Sequence, residues 1–195
     1  MRYFLQNIKQ CTVCEPHLAL GANPIVSASK NAKIVIIGQA PGIKVHTSGI
    51  AWNDASGNQL RKWLNVSDDD FYNTDNFAII PMGFCYPGKS KNGDLPPRKE
   101  CAPLWHQQLF NKMSNVQLVI LIGGYAQRYY LKEKAKKTLT ETVHNYSVYL
   151  PSYFVLPHPS PRNRFWLTKN SWFEQDIIPD LQKRVLKILI QNGEV

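Results

Sequence analysis

Long hydrophobic runs are absent from this chain: no apolar stretch in its 195 residues is long enough to form a helix across a bilayer. Its opening residues, MRYFLQNIKQCTVC, lack the basic region, apolar run and small-residue cleavage site of a secretory signal. The expectation is a soluble, cytoplasmic protein with no membrane partner and no obligate protein partner. Cysteine is scarce, with four residues in all, and a chain of this length buries enough surface to fold without disulfides. Acidic residues are few as well. The 14 Asp and Glu stand against 23 Lys and Arg, leaving a formal charge of +9. That balance favours a polyanionic partner through long-range attraction and counterion release, without naming one. There is no internal repeat and no low-complexity linker, so residues 1–195 are expected to form a single domain.

What is present is a set of short β-branched runs separated by segments with helical spacing. Ile34-Val35-Ile36-Ile37 is continuous and apolar, as in a strand buried on both faces of a parallel sheet. Similar runs occur at Phe77 to Ile80, Leu118 to Ile122 and Tyr153 to Leu156. Helical spacing covers Gly57 to Leu64, Pro103 to Met113, Tyr125 to about Lys134, and Trp172 to Ile190. The lysine-rich run Lys132 to Lys137 reads as a solvated helix end. Alternating strands and helices imply right-handed β-α-β units. The predicted fold is a three-layer α/β/α domain around a central four-stranded parallel sheet. In such sheets the site lies beyond the carboxyl ends of the strands. The segments to watch are therefore GQAPG, PMGFCYPG, GGYAQ and PHPSPRN.

Cys11 and Cys14 form a C-x-x-C pair near the amino end, and Cys85 and Cys101 lie on Pro- and Gly-rich loop edges. Four thiols so placed suggest a metal site, either zinc or an iron–sulfur cluster, and sequence chemistry does not separate the two. A thioredoxin-type pair is disfavoured because Cys11-Thr12-Val13-Cys14 follows no strand.

The loops carry a family likeness. GQAPGIKVHTSGIAWNDASGNQL, Gly38 to Leu60, resembles the first motif of the uracil-DNA glycosylase superfamily. HPSPRN, His158 to Asn163, resembles the second motif in the form used by the single-strand-selective monofunctional enzymes. The order and spacing of the four cysteines resemble the ligand set of the iron–sulfur glycosylases called family 4. The resemblance implies a monofunctional DNA glycosylase with DNA as partner and uracil as the default base. It also implies a [4Fe-4S] cluster without redox duty, held by Cys11, Cys14, Cys85 and Cys101.

Departure of a base leaves positive charge on the sugar and negative charge on the base, so the site needs an anion near one and donors near the other. Asp54, in a stretch resembling the D-x-S-G of family 5 enzymes, is the candidate anion and water-orienting group; its alternative role is to cap the following helix. His158 is the candidate donor to the leaving base. Trp52 occupies the position of the stacking aromatic, with backbone amides of Gln39 and Ala40 as further donors. Ser160, Arg162 and Asn163 would face the DNA, on a loop whose prolines exclude a helix. His46 and Thr47 are expected to shape the pocket, and His106 and His144 to lie on the surface.

Two positions depart from the family. Family 4 enzymes usually carry Glu where Gln39 stands, which shifts weight to Asp54. Where the superfamily reads uracil with an Asn, this chain has Pro81, which offers neither a side-chain amide nor an N–H. With Met82-Gly83-Phe84 behind it, the pocket is expected to differ in shape, and hypoxanthine or a bulky modified pyrimidine competes with uracil. A catalytically silent DNA-binding homologue is the other reading, and retention of Asp54 with His158 argues against it. A nucleotide hydrolase is disfavoured because GQAPG lacks the Lys-Ser/Thr ending of a P-loop.

Overall fold

In the computed structural model, which describes residues 1–91 and 93–190, the four apolar runs form one parallel sheet. Its strands are β1 (Ile34–Ile37), β2 (Phe77–Ile79), β5 (Leu118–Ile122) and β6 (Tyr153–Leu156), in the order β2-β1-β5-β6. The register places Ile36 beside Ile79 on one side and Ile120 on the other, with Ile120 beside Phe154. The chain leaves β1 for one edge, returns past it to β5 and continues outward to β6. The strand order therefore reverses between β1 and β5, where a crevice opens beyond the strand ends.

Strand residues alternate between two cores. Ile34, Ile36, Phe77, Ile79, Ile120 and Phe154 face a layer made by α3 (Ala55–Leu64), α4 (Asp68–Tyr72), α7 (Leu139–His144) and α9 (Ile178–Ile190). Val35, Ile37, Ala78, Leu121 and Val155 face α1 (Arg2–Lys9), α5 (Gln107–Phe110) and α6 (Gly123–Leu131). Helices on both faces explain why the strands read as continuous apolar runs. In α9 the buried Ile178, Leu181 and Val185 recur at helical spacing. The three-layer arrangement is the one the sequence predicts.

Several elements exceed that expectation. Pro103 to Met113 begins as a wide π-type turn, Ala102–His106, before α5, and a second such turn, Phe173–Ile177, precedes α9. Two short strands, β3 (Lys89–Ser90) and β4 (Gly93–Asp94), form an antiparallel hairpin. Short helices α2 (Ile43–Ser48) and α8 (Arg164–Lys169) complete the loops after β1 and β6. The HPSPRN segment is not free of helix: Pro161–Asn163 forms a 3-10 turn running into α8. The prolines permit this because Pro161 opens the turn, where its missing N–H and fixed φ cost nothing. No helix among the described residues is long and apolar enough to cross a membrane.

Candidate active site

The loop after β1 turns beside that after β2, and backbone bonds lock the two together. Met82 N–H donates to the Gly38 carbonyl at 2.9 Å and Gly83 N–H to the Gln39 carbonyl at 3.0 Å. Between this turn and the start of α3 lies a pocket of about 400 Å³, lined by Gln39, Ala40, Trp52, Asp54 and Pro81 among others. Ile25, Val45 and Ile79 make much of the remaining wall apolar. Among the described residues, the N–H groups of Gln39 and Ala40 enter no hydrogen bond, as does the Gln39 side chain. Gly83, expected in this pocket, is instead buried beneath Pro97 and Arg98. Nor do His46 and Thr47 line it: α2 turns Val45 inward, while the Thr47 hydroxyl donates back to the Ile43 carbonyl at 3.0 Å.

Asp54 does two things at once. It is the N-cap of α3, accepting from Gly57 N–H through Oδ1 at 2.8 Å, which satisfies an otherwise orphaned helix donor. The same bond fixes the carboxylate at the pocket edge, where Oδ2 has no partner among the described residues. Capping and chemistry are thus compatible.

Trp52 is held in an uncommon shape, with φ at +58°, left-handed and costly for a bulky residue. Its carbonyl accepts from Arg61 Nη1 at 3.3 Å. Arg61 is itself buried, paired with Asp68 at 2.6 Å and bonded to Asn58 at 2.6 Å. The adjoining Ala51 carbonyl accepts from the Tyr72 hydroxyl at 3.2 Å. Glycines give the tryptophan its room. A Cβ on Gly38 would lie 2.8 Å from the indole, and one on Gly57 only 1.7 Å from the Trp52 carbonyl oxygen.

His158, beyond β6, places its ring 5.7 Å from that of Trp52, tilted by 33°. It sits against Gly123, the first residue of α6, where φ is +80° and an added Cβ would stand 3.8 Å from the His158 Cβ. Burial lowers the pKa of His158, with Asp54 and Asp94 pulling the other way. The ring is therefore neutral near pH 7 and able to donate one hydrogen bond. Asn163 Nδ2 donates to the His158 carbonyl at 2.7 Å, so this residue braces the loop. Ser160 caps the 3-10 turn by accepting from Arg162 N–H. The exposed Arg162 lies over the hairpin, with Nη1 2.6 Å from where a Gly93 Cβ would be.

These features place an anion, a neutral imidazole and an indole at the ends of the first and last strands, beside the point where strand order reverses. A profile of the uracil DNA glycosylase superfamily matches residues 26–182. The chain belongs to that superfamily. Its general activity is release of a base from DNA, and the match begins after Cys11 and Cys14. Within this glycosylase, the four cysteines line a cavity of about 250 Å³ with Leu18, Phe84 and Trp105. All four are free of disulfides. Burial pushes the Cys85 thiol up to about 11 and Cys101 to about 12. Among the described residues, no three of His, Cys, Asp and Glu gather closely enough for a single metal ion.

The sequence misplaced His106. It is fully buried, not on the surface, because the π-type turn swings it inward to stack on Phe84 at 5.7 Å. Its Nε2 lies 3.1 Å from the Pro81 carbonyl and its Nδ1 2.6 Å from the Tyr130 hydroxyl. A carbonyl only accepts, so Nε2 carries the proton and Nδ1 accepts from the tyrosine. His106 thereby holds the pocket's Pro81 from behind. His144 is exposed as expected, edge-on to Trp172 at 4.8 Å.

Burial also pushes the His106 pKa down to about 4, from an ordinary 6.5. Above pH 6.5 the ring is neutral folded and unfolded. Between 6.5 and 4 only the unfolded chain takes up the proton, so stability falls as pH falls. Below 4 this contribution is fully lost. The difference amounts to about 3 kcal/mol. His106→Gln should flatten the pH dependence of thermal unfolding in that window relative to wild type. Superimposable profiles would show that His106 titrates normally.

Proposed function

We propose that this glycosylase hydrolyses the N-glycosidic bond of a flipped nucleotide, with Asp54 and His158 in opposite electrostatic roles. The observation that carries this reading is the partnerless Asp54 oxygen at the pocket edge, with a neutral His158 across the Trp52 ring. As the C1′–N bond breaks, its electron pair goes to the base and positive charge develops on the sugar. Asp54 stabilises that charge and orients water, which adds to C1′ and gives up a proton that, passed on through solvent, neutralises the departing base anion. His158, with the Gln39 and Ala40 amides, donates to the base as it becomes anionic. Trp52 stacks on the extruded ring. Among the described residues, no lysine lines the pocket to supply an amine for a lyase step, which supports a monofunctional repair-type enzyme.

Uracil is the default base by family. Pro81 and the apolar Ile25, Val45 and Ile79 favour a base that needs no donor from that wall, so a modified pyrimidine or hypoxanthine stands as the second reading. Single-turnover release from oligonucleotides carrying uracil, hypoxanthine or 5-substituted pyrimidines tests both. Free base from one of them is expected; none from any substrate overturns the enzymatic reading.

Cys11, Cys14, Cys85 and Cys101 would hold a [4Fe-4S] cluster. The four cysteines line one cavity, which supports a shared group, and their order and spacing, similar to those of the iron–sulfur glycosylases, favour the cluster over zinc. The cluster would serve as a staple joining the amino-terminal segment to the loop after β2 and the π-type turn. Protein purified without oxygen should be brown, and Cys101→Ser should lose the colour together with much of its thermal stability. Colourless wild-type protein with no bound iron would overturn this assignment.

A further inference from the structure

A second concavity lies on the other side of the β2 loop, an open groove of about 1580 Å³. Its floor is Met82, next to the Pro81 that lines the base pocket, and one wall is the exposed face of α6. Tyr125 and Tyr129, 37% and 40% exposed, fall one helical turn apart on that face with Arg128 between them. The Arg128 guanidinium rests on the Tyr125 ring, 5.2 Å from its centroid. Tyr129 is steadied edge-on by Tyr130 at 5.1 Å. The opposite wall is the Leu95–Lys99 stretch, which brings Lys99 and Arg98. Arg98 already pairs with Glu100, whereas Arg128 and Lys99 have no acidic partner among the described residues. Among the described residues, no Asp or Glu lines the groove.

From this geometry we infer that the groove binds unpaired DNA next to the excised nucleotide, stacking its bases on Tyr125 and Tyr129 and meeting its phosphates with Arg128 and Lys99. This inference rests on the glycosylase reading for its location, and on the groove's own chemistry for its ligand. A duplex buries the faces of its bases and has no use for exposed rings, whereas a single strand offers a π-face at every base and a phosphate between each pair. An apolar peptide would match the prolines and leave the cations unused. The two concavities are neighbours, through the consecutive Pro81 and Met82 and through α6, which carries the tyrosines and begins at Gly123 against His158, so that one strand could reach both.

The test measures binding of single-stranded and fully paired oligonucleotides to wild type, Tyr125→Ala, Tyr129→Ala and the conservative Tyr125→Phe and Tyr129→Phe, alongside melting temperature and base release. Each Ala variant should weaken single-strand binding by about tenfold or more, leave duplex binding within about twofold, and melt close to wild type. The Phe variants should bind as wild type does, because stacking needs the ring and not the hydroxyl. Equal loss on single strand and duplex, or no loss on either, overturns the groove assignment. So does a groove that saturates with an apolar peptide or a second copy of the chain in place of DNA. Single-strand binding that depends on both tyrosines, without release of any base, would keep the groove and sink the glycosylase reading. Base release with unaltered binding by the Ala variants would do the reverse.

Discussion

Asp54→Asn should lower single-turnover base release by on the order of 10²-fold or more while DNA affinity stays near wild type. The amide is isosteric and its oxygen can still accept from Gly57 N–H, as Oδ1 of the carboxylate does. The α3 cap and the position of Trp52 therefore survive the change. What disappears is the negative charge that develops its full value only as the sugar becomes cationic. His158→Ala should cost a comparable factor, since it removes the donor to the departing base and leaves the Asp54 side intact. Retention of full activity by both variants on the preferred base would remove the pair from catalysis. A drop in affinity equal to the drop in rate would assign them to binding instead.

Gly57→Ala is expected to be the most damaging single methyl in the site. Its Cβ would stand 1.7 Å from the Trp52 carbonyl oxygen and 2.6 Å from the carbonyl carbon, both backbone atoms. Neither can yield without moving the left-handed Trp52 turn that Arg61 and Tyr72 hold in place. The loss of stability should reach about 3 kcal/mol, the upper end for overpacking, and base release should fall with it because the indole is displaced. Gly42→Ala provides the comparison, since its nearest neighbour, the Asp94 carboxylate, would be at an ordinary 3.6 Å. Thermal unfolding and tryptophan fluorescence of the two variants would decide the matter. Equal, small effects would show that the turn is softer than its packing implies.

Most of the scaffold was legible because a parallel sheet covered on both faces must be built from short apolar runs, and all four were found to within a residue. The motif loops were legible for a related reason: Gly, Pro and polar residues after each run mark chain that leaves the core. What escaped was whatever depends on the third dimension. The π-type turn that buries His106 leaves the helical periodicity almost unchanged, so nothing in the spacing separates an inward from an outward histidine. Arg61 reads as one more basic residue of a helix face, yet it anchors the carbonyl of Trp52 through contacts with Asn58, Asp68 and Tyr72. Pro81 was seen to lack a donor. That the histidine 25 positions later would grip its carbonyl could not be read from either residue alone.

The bracing of Pro81 has a consequence for how such an enzyme changes over generations. The strip from Pro81 to Gly83 is fastened through main-chain atoms, to His106 on one side and to Gly38 and Gln39 on the other. Its course is thus largely indifferent to which side chain stands at position 81. Asp54 and His158 are secured elsewhere, on α3 and beyond β6. A mutation at position 81 can alter which base is admitted without disturbing the residues proposed to cleave the bond, so a lineage could exchange one substrate for another by single steps, each leaving a working catalyst behind.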